Sequence, residues 1–267
     1  MFSVLLSLYY KENPKNLSIA LDSIIFQTNK PNEIIIVEDG PLNKELYDIL
    51  NDFQSKYNKI KRIRLNENVG LGKALNEGLK HCSYDLVARM DTDDISFPNR
   101  FEKQAKFMNE HPEIDACSAW IVEFINSTDN IISIKKLPET HSELLQYAKH
   151  RCPLNHPVVM YRKSAVLAAG GYHGFPEDYN LWVRMLMNGS KMHNLQESLL
   201  FFRYSHDMIK RRGGWKYAKE DFRSQKAFYQ MGFIQFSDFI YNIAIRLTVR
   251  LIPYWLRDYI YKKGLRK

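Results

Sequence analysis

The chain has 267 residues, 45% apolar and 25% charged, which excludes a disordered polypeptide and allows one large buried core. Cys82, Cys117 and Cys152 are odd in number and lack metal-ligand spacing, so they read as reduced thiols of a cytosolic protein rather than a disulfide framework. The net charge of +8 is uneven: residues 210–267 hold 14 Lys and Arg against four acids, a net +10, which leaves −2 for residues 1–209.

The N-terminus has no basic leader region and no small-residue cleavage site. It runs into an apolar stretch at residues 3–10 that reads as a buried strand of the fold, not a signal peptide. Leu17, Ala20, Leu21, Ile24 and Ile25 recur at helical spacing. Residues 33–38 form a second strand, ending on Glu38-Asp39-Gly40. Leu46, Ile49, Leu50 and Phe53 mark a helix, residues 60–65 a strand, 71–79 a helix and 86–90 a fourth strand. This alternation predicts an α/β fold with a mostly parallel, Rossmann-like sheet flanked by helices. Ligands bind such sheets beyond the carboxyl ends of the strands. After residue 110 the pattern is less regular. Residues 153–157 and 170–176 read as loops, and 178–188 opens a helix. No apolar run reaches the roughly 18 residues that a spanning helix requires.

The fourth strand runs into Arg89-Met90-Asp91-Thr92-Asp93-Asp94. Three carboxylates in four residues repel one another unless a positive charge sits among them. Mg²⁺ or Mn²⁺ supplies that charge and keeps coordination positions open for a diphosphate. A solvated turn capping the next helix is the plainer alternative, but placement at a buried strand end favours the metal. Glu177-Asp178 offers a carboxylate that takes a proton from an attacking hydroxyl, or one that caps the following helix; both roles fit one position.

With these residues in place, the chain resembles glycosyltransferase family 2, whose members have the GT-A fold. The resemblance spans roughly residues 3–205 and rests on six segments in order: Val37-Glu38-Asp39-Gly40; Asn68-Val69-Gly70-Leu71-Gly72-Lys73-Ala74-Leu75-Asn76; Asp91-Thr92-Asp93; Asn155-His156-Pro157; Gly170-Gly171-Tyr172; and Glu177-Asp178-Tyr179-Asn180-Leu181-Trp182. It is nearest in character to short enzymes of bacterial capsule, exopolysaccharide and O-antigen synthesis. It implies inverting transfer of a hexose or N-acetylhexosamine from a UDP-sugar to a lipid-linked saccharide acceptor, with Mn²⁺ or Mg²⁺. By the same resemblance, Asp39 accepts a hydrogen bond from uracil with Tyr9 nearby, and Asp91 faces the ribose or donor sugar. Asp93 holds the metal, with His206 as a later ligand, and Asp178 is the base. Arg89 and Lys73 serve the donor, although the arginine that many relatives carry before Asn76 is Leu75 here. His156 and Glu177 fall on the acceptor side; a lone histidine in a Pro-rich loop is also an ordinary structural residue.

The division expected is a catalytic domain over residues 1–231 and an amphipathic basic tail over 232–267. Asn242, Arg246, Arg250 and Arg257 share one side of a helical wheel, with Phe239, Ile243, Leu247, Leu251, Trp255 and Leu256 between them and Pro253 as a kink. This predicts an interfacial helix on an anionic membrane surface, hence an enzyme in the cytoplasm, peripheral at the inner face of the cell membrane. Packing of the tail on its own domain is the alternative. Two rival classes are weaker. A metal-dependent nucleotidyltransferase carries a Gly-rich basic loop after its first strand, and residues 8–14 contain no glycine. A nucleic-acid binder interleaves basic residues with exposed aromatics, whereas here the charge accompanies an apolar tail, so no nucleic-acid partner is expected. A catalytically dead sugar-binding relative is disfavoured by the intact acids, and a non-enzymatic basic membrane- or nucleic-acid-binding protein stays as the alternative from another class.

Overall fold

A computed structural model of the chain describes residues 1–205, 212–253 and 255–257. The first half follows the predicted alternation: β1 (Ser3–Leu8), α1 (Pro14–Ile25), β2 (Glu33–Glu38), α2 (Lys44–Lys56), β3 (Ile60–Arg64), α3 (Leu71–His81) and β4 (Leu86–Arg89). Local chemistry sets the helix starts. Asn13 caps α1 by accepting from the Lys15 N–H, with Pro14 in the first turn, and Asn43 caps α2 by accepting from the Leu46 N–H.

The irregular second half contains β5 (Ile95–Ser96), α4 (Arg100–Glu110), the hairpin β6 (Ala116–Ile125) and β7 (Ser127–Lys135), and α5 (His141–Tyr147). These are followed by β8 (Met160–Arg162), α6 (Lys163–Ala168), α7 (Glu177–Met187), β9 (Met192–Arg203), α8 (Gly214–Gln230) and α9 (Phe236–Leu251).

Among the described residues the strand order is β3-β2-β1-β4-β8-β6-β9-β5, with β7 paired to β6. β3, β2, β1 and β4 are parallel; β8 runs antiparallel to both β4 and β6, and β9 returns parallel to β6. The parallel strands are apolar on both faces because helices cover both. Alternate residues divide between two cores: Val4, Leu6, Ile34 and Ile36 pack with α1, α2 and α4, whereas Leu5, Ile35 and Val37 pack with α3, α5, α6 and α7.

The C-terminal helix reverses one expectation. The polar stripe of α9 faces the protein, not the outside. Asn242 is buried and bonds Gln225 and the Lys149 carbonyl. Arg246 and Arg250 both reach Asp221 on α8, at 3.1 and 2.7 Å, and Arg257 is buried with an N–H on the Arg250 carbonyl. The opposite side of the segment exposes Phe236, Ile240, Leu251 and Trp255. In the seam between α8 and α9 the Asp221 carboxylate supplies one oxygen to each guanidinium, so the charge of the stripe is matched on the inner side of the helix. A small apolar cluster of Tyr179, Val183, Phe228 and Ile234 extends the core into the same seam. No described helix is long and apolar enough to cross a membrane.

Candidate active site

The order β3-β2-β1-β4 places a topological switch point between β1 and β4, and acidic residues gather beyond their carboxyl ends. Asp91, Asp93 and Asp94 each offer an oxygen, and these oxygens lie within 4.8 Å of one another. Asp94 is fully buried; its Oδ1 accepts the Arg203 N–H at 2.8 Å, while no described group hydrogen-bonds its Oδ2. Burial and the neighbouring Asp93 push the Asp94 carboxyl well up. Burial, then Asp91 and Glu12, push Asp93 up to about 7. Hard oxygen donors, an orphaned buried oxygen and mutual repulsion fit a divalent cation.

Several supports of this cluster escaped the sequence reading. Glu12, in the loop after β1, accepts the Thr92 hydroxyl at 2.7 Å. Arg203, at the end of β9, donates its Nε–H to the Asp93 carbonyl at 2.9 Å. Arg100 is fully buried and donates to the Arg89 carbonyl at 2.7 Å. No local motif marks these three; Glu12 and Arg203 are distant in sequence from the acids and arrive through the tertiary fold, while Arg100 follows them by six residues at the start of α4. Arg89 is 1% exposed and bonds Asp91 through Nη2, while no described residue accepts from its Nε or Nη1.

The acids at the end of β2 separate into two roles. Glu38 is buried and paired with Arg62 and Arg64 of β3, so it is tied into the sheet. Asp39 turns the other way: its carboxylate accepts from the Val69 N–H at 2.7 Å, the Gly70 N–H at 3.1 Å and the Asn68 amide at 3.0 Å. It thereby anchors the loop that enters α3. Gly40 lets the two loops meet: its φ is +86°, and a Cβ there would lie 2.7 Å from the Asn68 nitrogen. A carboxylate has about four acceptor sites, so three loop donors leave room for another.

A cleft of ≈ 1690 Å³ opens beside the cluster. It brings together Arg89, Asp91, His156, Glu177 and Asp178; Tyr9, Asp39, Lys73 and Asp93 lie outside that lining, with Lys73 exposed on the first turn of α3. Glu177 and Asp178 form the first turn of α7, where the helix dipole favours negative charge. Asp178 Oδ1 accepts the Tyr179 N–H at 2.8 Å, and the Cys152 thiol lies 3.7 Å from Oδ2. Burial and adjacent Asp178 push the Glu177 carboxyl up. His156 is buried, with Nε2 3.1 Å from the Tyr172 hydroxyl and its ring edge-on to Trp182. Burial, with Arg89 nearby, holds its basicity well below the usual histidine range, so it stands as a neutral wall residue. Asn76 fixes the neighbouring loop by pairing with both backbone groups of Tyr172, at 2.7 and 2.8 Å. His206 lies outside the described residues.

A doubly wound sheet that gathers three carboxylates at its switch point, beside a cleft with further acids on a helix start, has the layout of an α/β enzyme's ligand site. The family model "Glycosyl transferase family 2" matches residues 3–169. The chain is 44% identical, over 100% of its length and 97% of the relative's, to UDP-Gal:alpha-D-GlcNAc-diphosphoundecaprenol beta-1,3-galactosyltransferase of Escherichia coli. It is 40% identical, over 98% of both chains, to the amylovoran biosynthesis glycosyltransferase AmsE of Erwinia amylovora. Its fold matches the mannosyltransferase PcManGT of Pyrobaculum calidifontis, solved with GDP-Man and Mn²⁺, with a TM-score of 0.67 at 14% identity, covering 92% of this chain and 68% of that one. The chain belongs to glycosyl transferase family 2 and is a glycosyltransferase.

Proposed function

We propose that the protein transfers a hexose or N-acetylhexosamine from a UDP-sugar to a lipid-linked saccharide in surface polysaccharide synthesis, with inversion. The observation that carries this reading is the shared cleft of Asp91 and Asp178, supported by near full-length similarity to an enzyme whose name gives a UDP donor and a diphosphoundecaprenol acceptor.

In this reading Asp178 Oδ2 takes the proton of the acceptor hydroxyl as its oxygen attacks the anomeric carbon. The bond from that carbon to the nucleotide oxygen breaks, and UDP departs with the electron pair. One displacement turns an α-linked donor into a β-linked product. Asp93, with Asp91 and Asp94, holds Mn²⁺ or Mg²⁺, and His206 is a further ligand. A bound cation offsets the charge that gathers on the departing diphosphate. Arg89 orients Asp91 and turns its remaining N–H groups toward the donor. Asp39, Tyr9 and Lys73 serve the nucleotide, while His156 and Glu177 shape the acceptor side.

Residues 1–231 form the catalytic unit in this reading, and residues 232–267 place it at the inner face of the cell membrane. Phe236, Ile240, Leu251 and Trp255, exposed on the outer side, supply the apolar contact. The deciding experiment is a panel of nucleotide sugars offered with alkyl-diphosphate-linked saccharides, scored for nucleotide release with and without Mn²⁺. Metal-dependent UDP release with one of the UDP-sugars is expected. Release from no nucleotide sugar, or full rate in EDTA, overturns the reading.

A further inference from the structure

Asp91, Glu177 and Asp178 share the lining of the cleft. Its ≈ 1690 Å³ exceeds the size of a common single-ligand pocket, about 300–1,000 Å³, so a second substrate group has room beyond them. From Asp178 the cleft continues past residues 147–152 to α8 and α9, and there its lining changes sign. The cleft lining includes Arg151, then Arg212, Lys216 and Glu220 at the start of α8 and Arg246 and Arg250 of α9, the last two paired with Asp221, while Lys135 and Glu123 come from β7 and β6. Aromatic rings lie among them: Arg151 stands 6.0 Å from the centroid of Tyr147, and Arg250 4.3 Å from that of Tyr217.

The segment that carries Arg151 joins the candidate base to this basic wall. Cys152 Sγ lies 3.7 Å from Asp178 Oδ2, while two residues earlier the His150 carbonyl accepts from Arg246 Nη2 at 2.9 Å. The His150 ring is 2.9 Å from Asn242 Oδ1. Arg151 lies in the chain between these two contacts, and it lines the same cleft as Asp178, Arg246 and Arg250.

We propose that this basic part of the cleft is a subsite for the acceptor's own diphosphate, with Arg151 and Lys216 as direct contacts. The subsite rests on the reading of the acceptor as a lipid-linked saccharide. A guanidinium matches phosphate oxygens with paired donors, and a lysine adds a mobile point charge. Separation from the Asp91, Asp93 and Asp94 cluster keeps two diphosphates, one on the donor and one on the acceptor, from sharing a single charge site. The geometry of α9 suits the same substrate: its inner side lines the basic cleft, and its outer side exposes Phe236, Ile240 and Leu251 toward a lipid phase that holds the acceptor's hydrocarbon chain.

The donor diphosphate is the other source of the same chemistry, so the test is made on protein saturated with UDP and Mn²⁺. Calorimetric titration with monomeric dodecyl diphosphate and with uncharged dodecyl glucoside reads the subsite directly. The diphosphate should bind at least about ten-fold more tightly than the glucoside, and Arg151→Gln and Lys216→Gln should each weaken it about five- to ten-fold, the scale of one charge-assisted contact, with UDP affinity unchanged. Equal binding of the two probes, release of bound UDP by dodecyl diphosphate, or wild-type affinity in both variants overturns the proposal. If no saccharide diphosphate accepts sugar while the probe preference and its loss in the variants persist, the acceptor reading falls and the anion subsite stands. Transfer to such an acceptor with wild-type KM in both variants removes the subsite alone.

Discussion

Arg250 on α9 reaches back to Asp221 on α8, with Nε 2.7 Å from Oδ2, and so fastens the C-terminal helix to the catalytic body through a buried carboxylate. Arg246 takes the other oxygen of the same residue at 3.1 Å. Asp221→Asn retains the shape and removes the charge, leaving two guanidiniums in a poorly hydrated seam. Loss of one partner from such a pair costs about 3–5 kcal/mol. The variant should melt at a lower temperature and be cut by trypsin within α9, after Arg246 or Arg250. Wild-type melting and protease resistance would show that the seam does not hold the helix.

Asp178→Asn isolates the base. The amide occupies the same space at the start of α7 but cannot take a proton. Turnover should fall roughly 10²-fold or more while the KM for the nucleotide sugar stays near wild type. If donor affinity collapses and turnover of the bound complex does not, Asp178 belongs to the donor site. Rapid-quench kinetics at saturating donor separates these outcomes.

If Asp93 holds the proposed cation, it couples cation binding to pH. Its carboxyl is raised from 3.8 to about 7 in the folded, metal-free protein. Between those values the folded chain binds more protons than the unfolded one. Stability of the metal-free protein therefore declines as pH rises through this window, and the full penalty is present above about pH 7. A cation displaces the proton, so its affinity rises with pH over the same range. Mn²⁺ should raise the Tm more at pH 8 than at pH 5.5. Asp93→Asn should raise the metal-free Tm at pH 8 and abolish the Mn²⁺ response. An equal Mn²⁺ increment at both pH values removes Asp93 from the metal site.

The outward face of α9 supplies a test of membrane contact that differs from the one its charges suggest. Arg246 and Arg250 are engaged with Asp221, so exposed apolar side chains should carry the lipid contact. Phe236→Glu combined with Ile240→Glu should reduce co-sedimentation with vesicles of anionic and neutral phospholipid without lowering the Tm, because both side chains are exposed. Wild-type protein should weaken at high salt but not release fully, since apolar burial is not screened. Unchanged sedimentation of the double variant removes α9 from the interface.

The parallel strands and their helices were legible because each element carries its own period. Ile34-Ile35-Ile36-Val37 reads as a buried strand, and Leu17, Ala20, Leu21 and Ile24 as a helix face, without any knowledge of neighbours. The candidate acids were legible for a related reason: strand ends in such a sheet form one rim, so Asp39, Asp91 and Asp93 drew attention by position, whereas Asp178, on a helix start, was singled out through the family resemblance. The antiparallel insertion of β8 was not legible, because Met160–Arg162 is too short to show a period. Nor were Glu12 and Arg203, which meet the acidic cluster only after the sheet has closed, nor the bond from Arg100 to the Arg89 carbonyl, which needs α4 folded against β4. The sequence by itself determined that α9 is amphipathic with a basic stripe, since a helical period is a local property. Which way that stripe turns was decided by tertiary structure alone. Asp221 lies 25 residues before Arg246 on another helix, and its buried carboxylate made the inward face the favourable place for the charge.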